Sequence, residues 1–98
     1  MIKEDIKKVL IKNKKILKKY KVNKIGIFGS FATGKTGKKS DVDLLVEFED
    51  MIDLFDFVHL NKEIQQILET RVDLVTPDTI KPYIKPKILK EVVWVEGL

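Results

Sequence analysis

Two short apolar segments, "KIGIF" and "DVDLLVEF", are separated by a stretch rich in Gly, Thr and Lys that begins at Gly29. Residues 29–36, "GSFATGKT", fit the phosphate-binding pattern G-x-x-x-x-G-K-[ST] of P-loop proteins. A P-loop works because it opens directly onto a helix, whose free N–H groups hold the phosphates. Here only three residues lie between Thr36 and Ser40, less than one helical turn, before the second apolar segment. The spacing therefore excludes a P-loop fold, which also needs several strand–helix–strand units of roughly 30 residues each.

The hydrophobic periodicity predicts an α/β domain that occupies all of residues 1–98. Apolar residues at helical spacing predict a first helix over residues 2–20, and alternation predicts strands at 25–28, 41–48 and 71–76. The segment from Thr33 to Ser40 is predicted as a loop. A last helix is expected within residues 82–91, followed by the extended segment "EVVWV".

A further helix is predicted from Leu54 to Glu69, with Asp53 as its N-cap. Its expected core-facing positions follow the spacing of one helix face. They are Leu54, Phe57, Val58, Leu60, Ile64, Ile67 and Leu68.

The composition limits the class of protein. The chain carries 19 basic and 15 acidic residues, a net charge of +4, and no cysteine. Disulfides and thiolate metal sites are therefore excluded, and no segment is long and apolar enough for a membrane span. We expect a cytoplasmic protein. The abundance of Lys and Glu suits a thermophile as well as a nucleic-acid binder. The scarcity of arginine and of interleaved aromatics argues against direct nucleic-acid binding.

The acidic residues suggest a metal site. Asp41 and Asp43 are two positions apart in a predicted strand, so their carboxylates leave the same face. Mg²⁺ prefers such oxygen ligands and keeps other positions for phosphate or water. Asp73, in the strand "RVDLV", is the best candidate for a third ligand and would allow a second ion. The alternative is a set of solvated carboxylates, with Asp73 paired to a basic residue.

Gly29 and Ser30 suggest the phosphate-binding part of the same site. A glycine at a strand end lets the backbone approach a phosphate, and the Ser30 hydroxyl and local N–H groups can donate to its oxygens. Alternatively, Ser30 caps a short helix after the turn. Lys35, Lys39 and Ser40 lie in the following loop and are further candidates for nucleotide binding.

At these residues the chain resembles a known family. Gly29-Ser30, ten residues, Asp41-Val42-Asp43 and the downstream Asp73 look like the minimal nucleotidyltransferases of the polymerase β superfamily. The most similar group is the MntA-type antitoxins, which pair with HEPN-domain toxins. The resemblance covers nearly the whole chain. It implies a small mixed β-sheet flanked by helices, a palm-like core.

The resemblance also implies a reaction and its participants. It implies transfer of AMP from ATP, with two Mg²⁺ ions, to a tyrosine hydroxyl of a HEPN toxin, which silences the toxin. Asp41 and Asp43 would bind both metals, Asp73 would complete the site near the acceptor, and Gly29 and Ser30 would hold the triphosphate.

One position departs from the family pattern. Relatives commonly have a basic residue directly before the second glycine of the loop, where this chain has Thr33. This departure puts phosphate affinity in question and keeps the first of two alternative functions open. The first is an antitoxin that neutralises by binding alone, and the second is nucleotidyl transfer to a small molecule.

Overall fold

The computed structural model describes residues 1–35 and 41–98. Its elements, in chain order, are α1 (Lys3–Lys12), α2 (Lys14–Lys19), β1 (Val22–Phe28), α3 (Ser30–Thr33), β2 (Val42–Phe48), α4 (Leu54–Leu68), β3 (Val72–Val75), a 3₁₀ turn (Pro77–Thr79), α5 (Lys85–Glu91) and β4 (Val93–Trp94).

The strands form one mixed sheet in the order β3-β2-β1-β4. β1 is antiparallel to both β2 and β4, whereas β2 and β3 are parallel. A parallel pair needs a crossover connection, and α4 supplies it between β2 and β3. The predicted small mixed sheet with flanking helices is confirmed.

The core lies between the sheet and the helices α1, α2 and α4. Alternate residues of β2 face this layer, and their partners on β1 do the same, as the pairs Ile25–Val46 and Ile27–Leu44 show. The helices contribute fully buried side chains to the same cluster. These are Ile6, Leu10, Leu17, Leu60, Ile64 and Leu68.

The opposite face of the sheet is partly covered by the C-terminal segment. A side chain at Gly26 would place its Cβ 2.5 Å from Val92 Cγ2 and 2.9 Å from Trp94 Cε3. Gly26 therefore lets this segment pack close to the strand. Leu45, which pairs with Gly26, is fully buried although it points away from the main core.

Several predicted boundaries need correction. The first helix is interrupted at Asn13, whose side-chain amide donates to the Val9 carbonyl oxygen at 2.8 Å, so it is two helices. β1 begins at Val22, three residues before the predicted start. Thr33 belongs to α3 and not to a loop.

The prediction for α4 is largely confirmed. Asp53 is its N-cap and accepts a hydrogen bond from the Asp56 N–H at 2.8 Å. For two of the seven expected core residues the prediction was wrong, because Leu54 and Val58 are exposed to solvent. In the described residues, no helix combines the length and apolar character that crossing a membrane requires.

Candidate active site

The turn after β1 is built around Gly29. Its backbone has φ 69° and ψ −148°, a conformation that favours glycine. Gly29 is the N-cap of α3, and its carbonyl oxygen accepts from the N–H groups of Ala32 and Thr33 at 3.1 and 3.2 Å. Ser30 is the first helical residue, so the alternative that Ser30 caps the helix was wrong. Phe31, in this otherwise polar stretch, is buried and anchors α3 to the core.

Gly29 also lies against Asp43. The β1–β2 ladder pairs Phe28 with Asp43, which brings this aspartate beside the turn. A Cβ at position 29 would overlap the Asp43 Oδ2 atom. The glycine is therefore needed twice, for its backbone conformation and for the space that the carboxylate fills. This contact joins the two halves of the sequence motif in space.

The three predicted acids lie at one end of β2 and β3. Asp43 and Asp73 are paired in the parallel ladder, on strands about 5 Å apart. Asp41 immediately precedes β2 and, two residues before Asp43, is directed to the same face. Asp41 and Asp73 are exposed, and Asp43 is half-buried against the Gly29 turn. Asp41, Asp43 and Asp73 thus form a row of carboxylates that is open to solvent, which we call the acid row.

The electrostatics of this row are unfavourable to negative charge. The pKa of Asp43 is raised from 3.8 to about 6, first by burial and then by the neighbouring charges of Asp73 and Asp41. The carboxylates are close enough to repel one another. A cation placed between them would relieve this repulsion.

The donor set suits a hard divalent cation. Among residues 1–35 and 41–98, no group of three or more Asp, Glu, His or Cys side chains already surrounds a point that could hold a metal ion. The acids nevertheless supply only carboxylate oxygens, which Mg²⁺ prefers, and two of them are free in solvent to adjust. Asp41, Asp43 and Asp73 therefore fit Mg²⁺ as its ligands.

The other predicted nucleotide-binding residues are placed only in part. Lys35 follows α3, is exposed, and donates its backbone N–H to the Ser30 carbonyl oxygen at 3.0 Å. The Thr33 hydroxyl donates to the carbonyl oxygens of Gly29 and Ser30 at 3.3 and 3.4 Å, so it is turned back onto its own helix. The predictions for Lys39 and Ser40 lie outside the described residues.

The chain is similar to a family of enzymes. The sequence profile of the nucleotidyltransferase domain matches residues 10–95. A protein adenylyltransferase, MntA, from Thermococcus cleftensis is 40% identical over 93 residues, which cover 94% of each chain. A relative from Methanocaldococcus jannaschii, also named as a protein adenylyltransferase, is 46% identical over 93 residues, 93% of this chain and 95% of the relative.

Solved structures agree with these sequence matches. A structure of a minimal nucleotidyltransferase superimposes with a TM-score of 0.81 at 28% identity and covers 95% of both chains. A toxin–antitoxin crystal structure with AMP-PNP gives a TM-score of 0.72 at 25% identity, covering 89% of this chain and 72% of that chain.

Proposed function

Because this chain belongs to the nucleotidyltransferase domain family, we propose that it transfers AMP from ATP to a tyrosine hydroxyl of a HEPN-type toxin and so acts as its antitoxin. The names of its relatives support a protein acceptor. The similarity to a toxin–antitoxin structure supports a toxin as that acceptor.

The observation that carries the proposal is the acid row beside the glycine turn. Asp43 is held against Gly29 and is repelled by Asp73 and Asp41. Without a cation the three carboxylates repel one another, whereas with a cation they can serve as its ligands. Two Mg²⁺ ions held by the three acids would neutralise the triphosphate and the developing charge at the α-phosphate.

The residues of the chain then have separate tasks. The backbone at Gly29 and the Ser30 hydroxyl bind the phosphates and orient them toward the acids. Lys35 adds a contact to the triphosphate, and Lys39 and Ser40 are assigned to the same task from the sequence. Asp41 and Asp43 would hold both metals, and Asp73 would complete the set of ligands.

Asp73 is exposed, so an acceptor can reach its carboxylate. In the reaction, the tyrosine oxygen forms a bond to the α-phosphorus while the bond from that phosphorus to pyrophosphate breaks. The tyrosine proton passes to the Asp73 carboxylate. No further reactant is needed.

A direct test uses labelled ATP and the partner. We expect a small helical protein with an R-x₄-H motif to be encoded in the adjacent reading frame. With Mg²⁺ and α-labelled ATP, the wild-type chain should label a tyrosine of that protein, and Asp41→Ala or Asp43→Ala should abolish the labelling. Glu96→Ala removes an exposed carboxylate after β4 and serves as the matched control. Absence of labelling by the wild type would refute the proposed reaction.

A second function is favoured by Thr33. Its hydroxyl is occupied by the α3 backbone and supplies no positive charge for a phosphate. An antitoxin that acts by binding alone would need no such charge. In that case Asp41→Ala and Asp43→Ala would still neutralise the toxin in cells, whereas an AMP-transferring antitoxin would lose neutralisation.

A further inference from the structure

Four large apolar side chains are exposed around the start of α4. Met51, Leu54, Phe55 and Val58 are 92%, 73%, 77% and 42% exposed, and we call them the α4 patch. Val58 is four positions after Leu54 and three after Phe55, so the three side chains share one side of the helix. Met51 lies in the segment that leads into it.

The α4 patch is separate from the face that α4 buries. The buried side is formed by Leu60, Ile64 and Leu68, which lie in the core. The patch therefore gives α4 a second apolar face that lies outside the core cluster. A contiguous apolar surface of this kind on a small domain marks an interaction site.

A groove with an acidic lining adjoins the α4 patch. It has a volume of about 940 Å³, lies between the start of α4 and the 3₁₀ turn, and shares Met51 and Leu54 with the patch. Its charged lining residues are Glu47, Asp50, Asp53, Asp78 and Lys85, four carboxylates and one ammonium group in the described part of the chain. The groove therefore has an excess of negative charge, although the chain as a whole has a net charge of +4.

We propose that the α4 patch and its groove bind a helix of the acceptor protein that carries an apolar stripe flanked by lysine or arginine. This rests on the proposed function, because it assumes a protein acceptor. The apolar stripe would cover the patch, and the flanking cations would face the carboxylates of the groove.

The chemistry of the chain itself argues against a second copy as the occupant. The lysine-rich helix α1 has the right charge, but its stripe residues Ile6 and Leu10 are fully buried in its own core. A symmetric contact between the α4 patches of two copies would also bring the carboxylates of their two grooves together, and these like charges repel.

The docking surface is distant from the acid row. Asp43 is near the start of β2, whereas Val46, Glu47 and Phe48, which line the groove, are at its end. Three to five residues of strand span roughly 10–17 Å. A protein bound at the α4 patch thus leaves the acids free for a tyrosine reached from another part of the acceptor. Docking and transfer can be tested separately.

The test compares two pairs of variants for binding to the HEPN-type protein from the adjacent reading frame. That protein would carry a substitution in its R-x₄-H motif to prevent toxicity. Leu54→Ser/Phe55→Ser should weaken the complex by about tenfold or more in calorimetry. Leu89→Ser, at a leucine of α5 that is 45% exposed, is the matched control and should bind as the wild type. Binding of Mg²⁺-ATP should be the same for all three proteins.

The charge of the groove is tested in the same complex. Asp50→Asn/Asp78→Asn should weaken binding at low salt and reduce its dependence on salt, whereas Glu96→Gln should not. Because the chain has no cysteine, Phe55→Cys can carry a unique photocrosslinker, which we expect to form a product with the HEPN-type protein.

Several results would overturn the docking surface. They are wild-type affinity of Leu54→Ser/Phe55→Ser, absence of the crosslink in an assembled complex, or self-association of the wild type that Leu54→Ser/Phe55→Ser abolishes. A wild-type complex that forms and crosslinks but transfers no AMP would refute only the proposed reaction. Absence of any complex would overturn both.

Discussion

Replacing Asp43 with asparagine should make the metal-free protein more stable while it destroys the candidate metal site. Asparagine keeps the shape of the side chain beside Gly29 and removes its charge. Raising the pKa of Asp43 from 3.8 to about 6 corresponds to about 3 kcal/mol for a fully buried group. Since Asp43 is half-buried, screening by solvent reduces the gain to about 1 kcal/mol. That gain would raise the melting temperature by about 4–8 °C.

The pH dependence of this stability gain shows whether its cause is the charge of Asp43. The folded state binds the Asp43 proton more tightly than the unfolded state, so the ionised carboxylate destabilises the fold. The difference between Asp43→Asn and the wild type should be absent below about pH 4, grow through about pH 6, and remain constant above it. Urea denaturation of both proteins in EDTA, at a series of pH values from below about 4 to above about 6, measures this difference in the free energy of unfolding.

A control and a cation complete the experiment. Asp78→Asn, at an exposed carboxylate of the 3₁₀ turn, should show no such gain. Adding MgCl₂ should stabilise the wild type and narrow its difference from Asp43→Asn. A variant that is less stable than the wild type at every pH, or a difference that does not change with pH, would refute the electrostatic reasoning.

Three further substitutions test the local geometry. Gly29→Ala should cost about 1–3 kcal/mol and lower nucleotide binding, because its Cβ overlaps Asp43 and its φ is positive; unchanged urea midpoint and nucleotide affinity would contradict this. Gly26→Ala should cost about 1–3 kcal/mol because its Cβ meets Val92, and unaltered tryptophan fluorescence and stability would show that the C-terminal segment packs elsewhere. Asp53→Ala should cost about 1 kcal/mol through loss of the helix cap, whereas Asp53→Asn should retain most of the stability in thermal melts.

The sequence predicted the features that depend on local pattern. The alternation of β2 placed Asp41 and Asp43 on one face, and the Asp53 cap located the start of α4. The family, the fold and the nucleotidyltransferase activity predicted from the motif are confirmed by the sequence and structural matches. The roles of the individual site residues remain predictions.

Other features depend on contacts that a single sequence does not encode locally. The break at Asn13 leaves the apolar spacing of the first helix intact, so periodicity does not reveal it. Leu54 and Val58 have the spacing of a helix face, but spacing cannot distinguish a face that meets the core from one that meets solvent. The raised pKa of Asp43 depends first on its burial beside the Gly29 turn and then on its pairing with Asp73 on the neighbouring strand.

The position of β3 at the border of the sheet affects how Asp73 should be studied. An outermost strand with free backbone groups can pair with another molecule, and short length, charge and proline oppose this. β3 has four residues, carries Asp73 at its second position, and is bracketed by Arg71 and Pro77. The carboxylate of Asp73 therefore also opposes pairing of this edge with another molecule. An apolar replacement such as Asp73→Val would turn the strand into "VVLV", an edge that favours aggregation. Insolubility of the variant would then be mistaken for loss of catalytic activity. Asp73→Asn is therefore the informative variant.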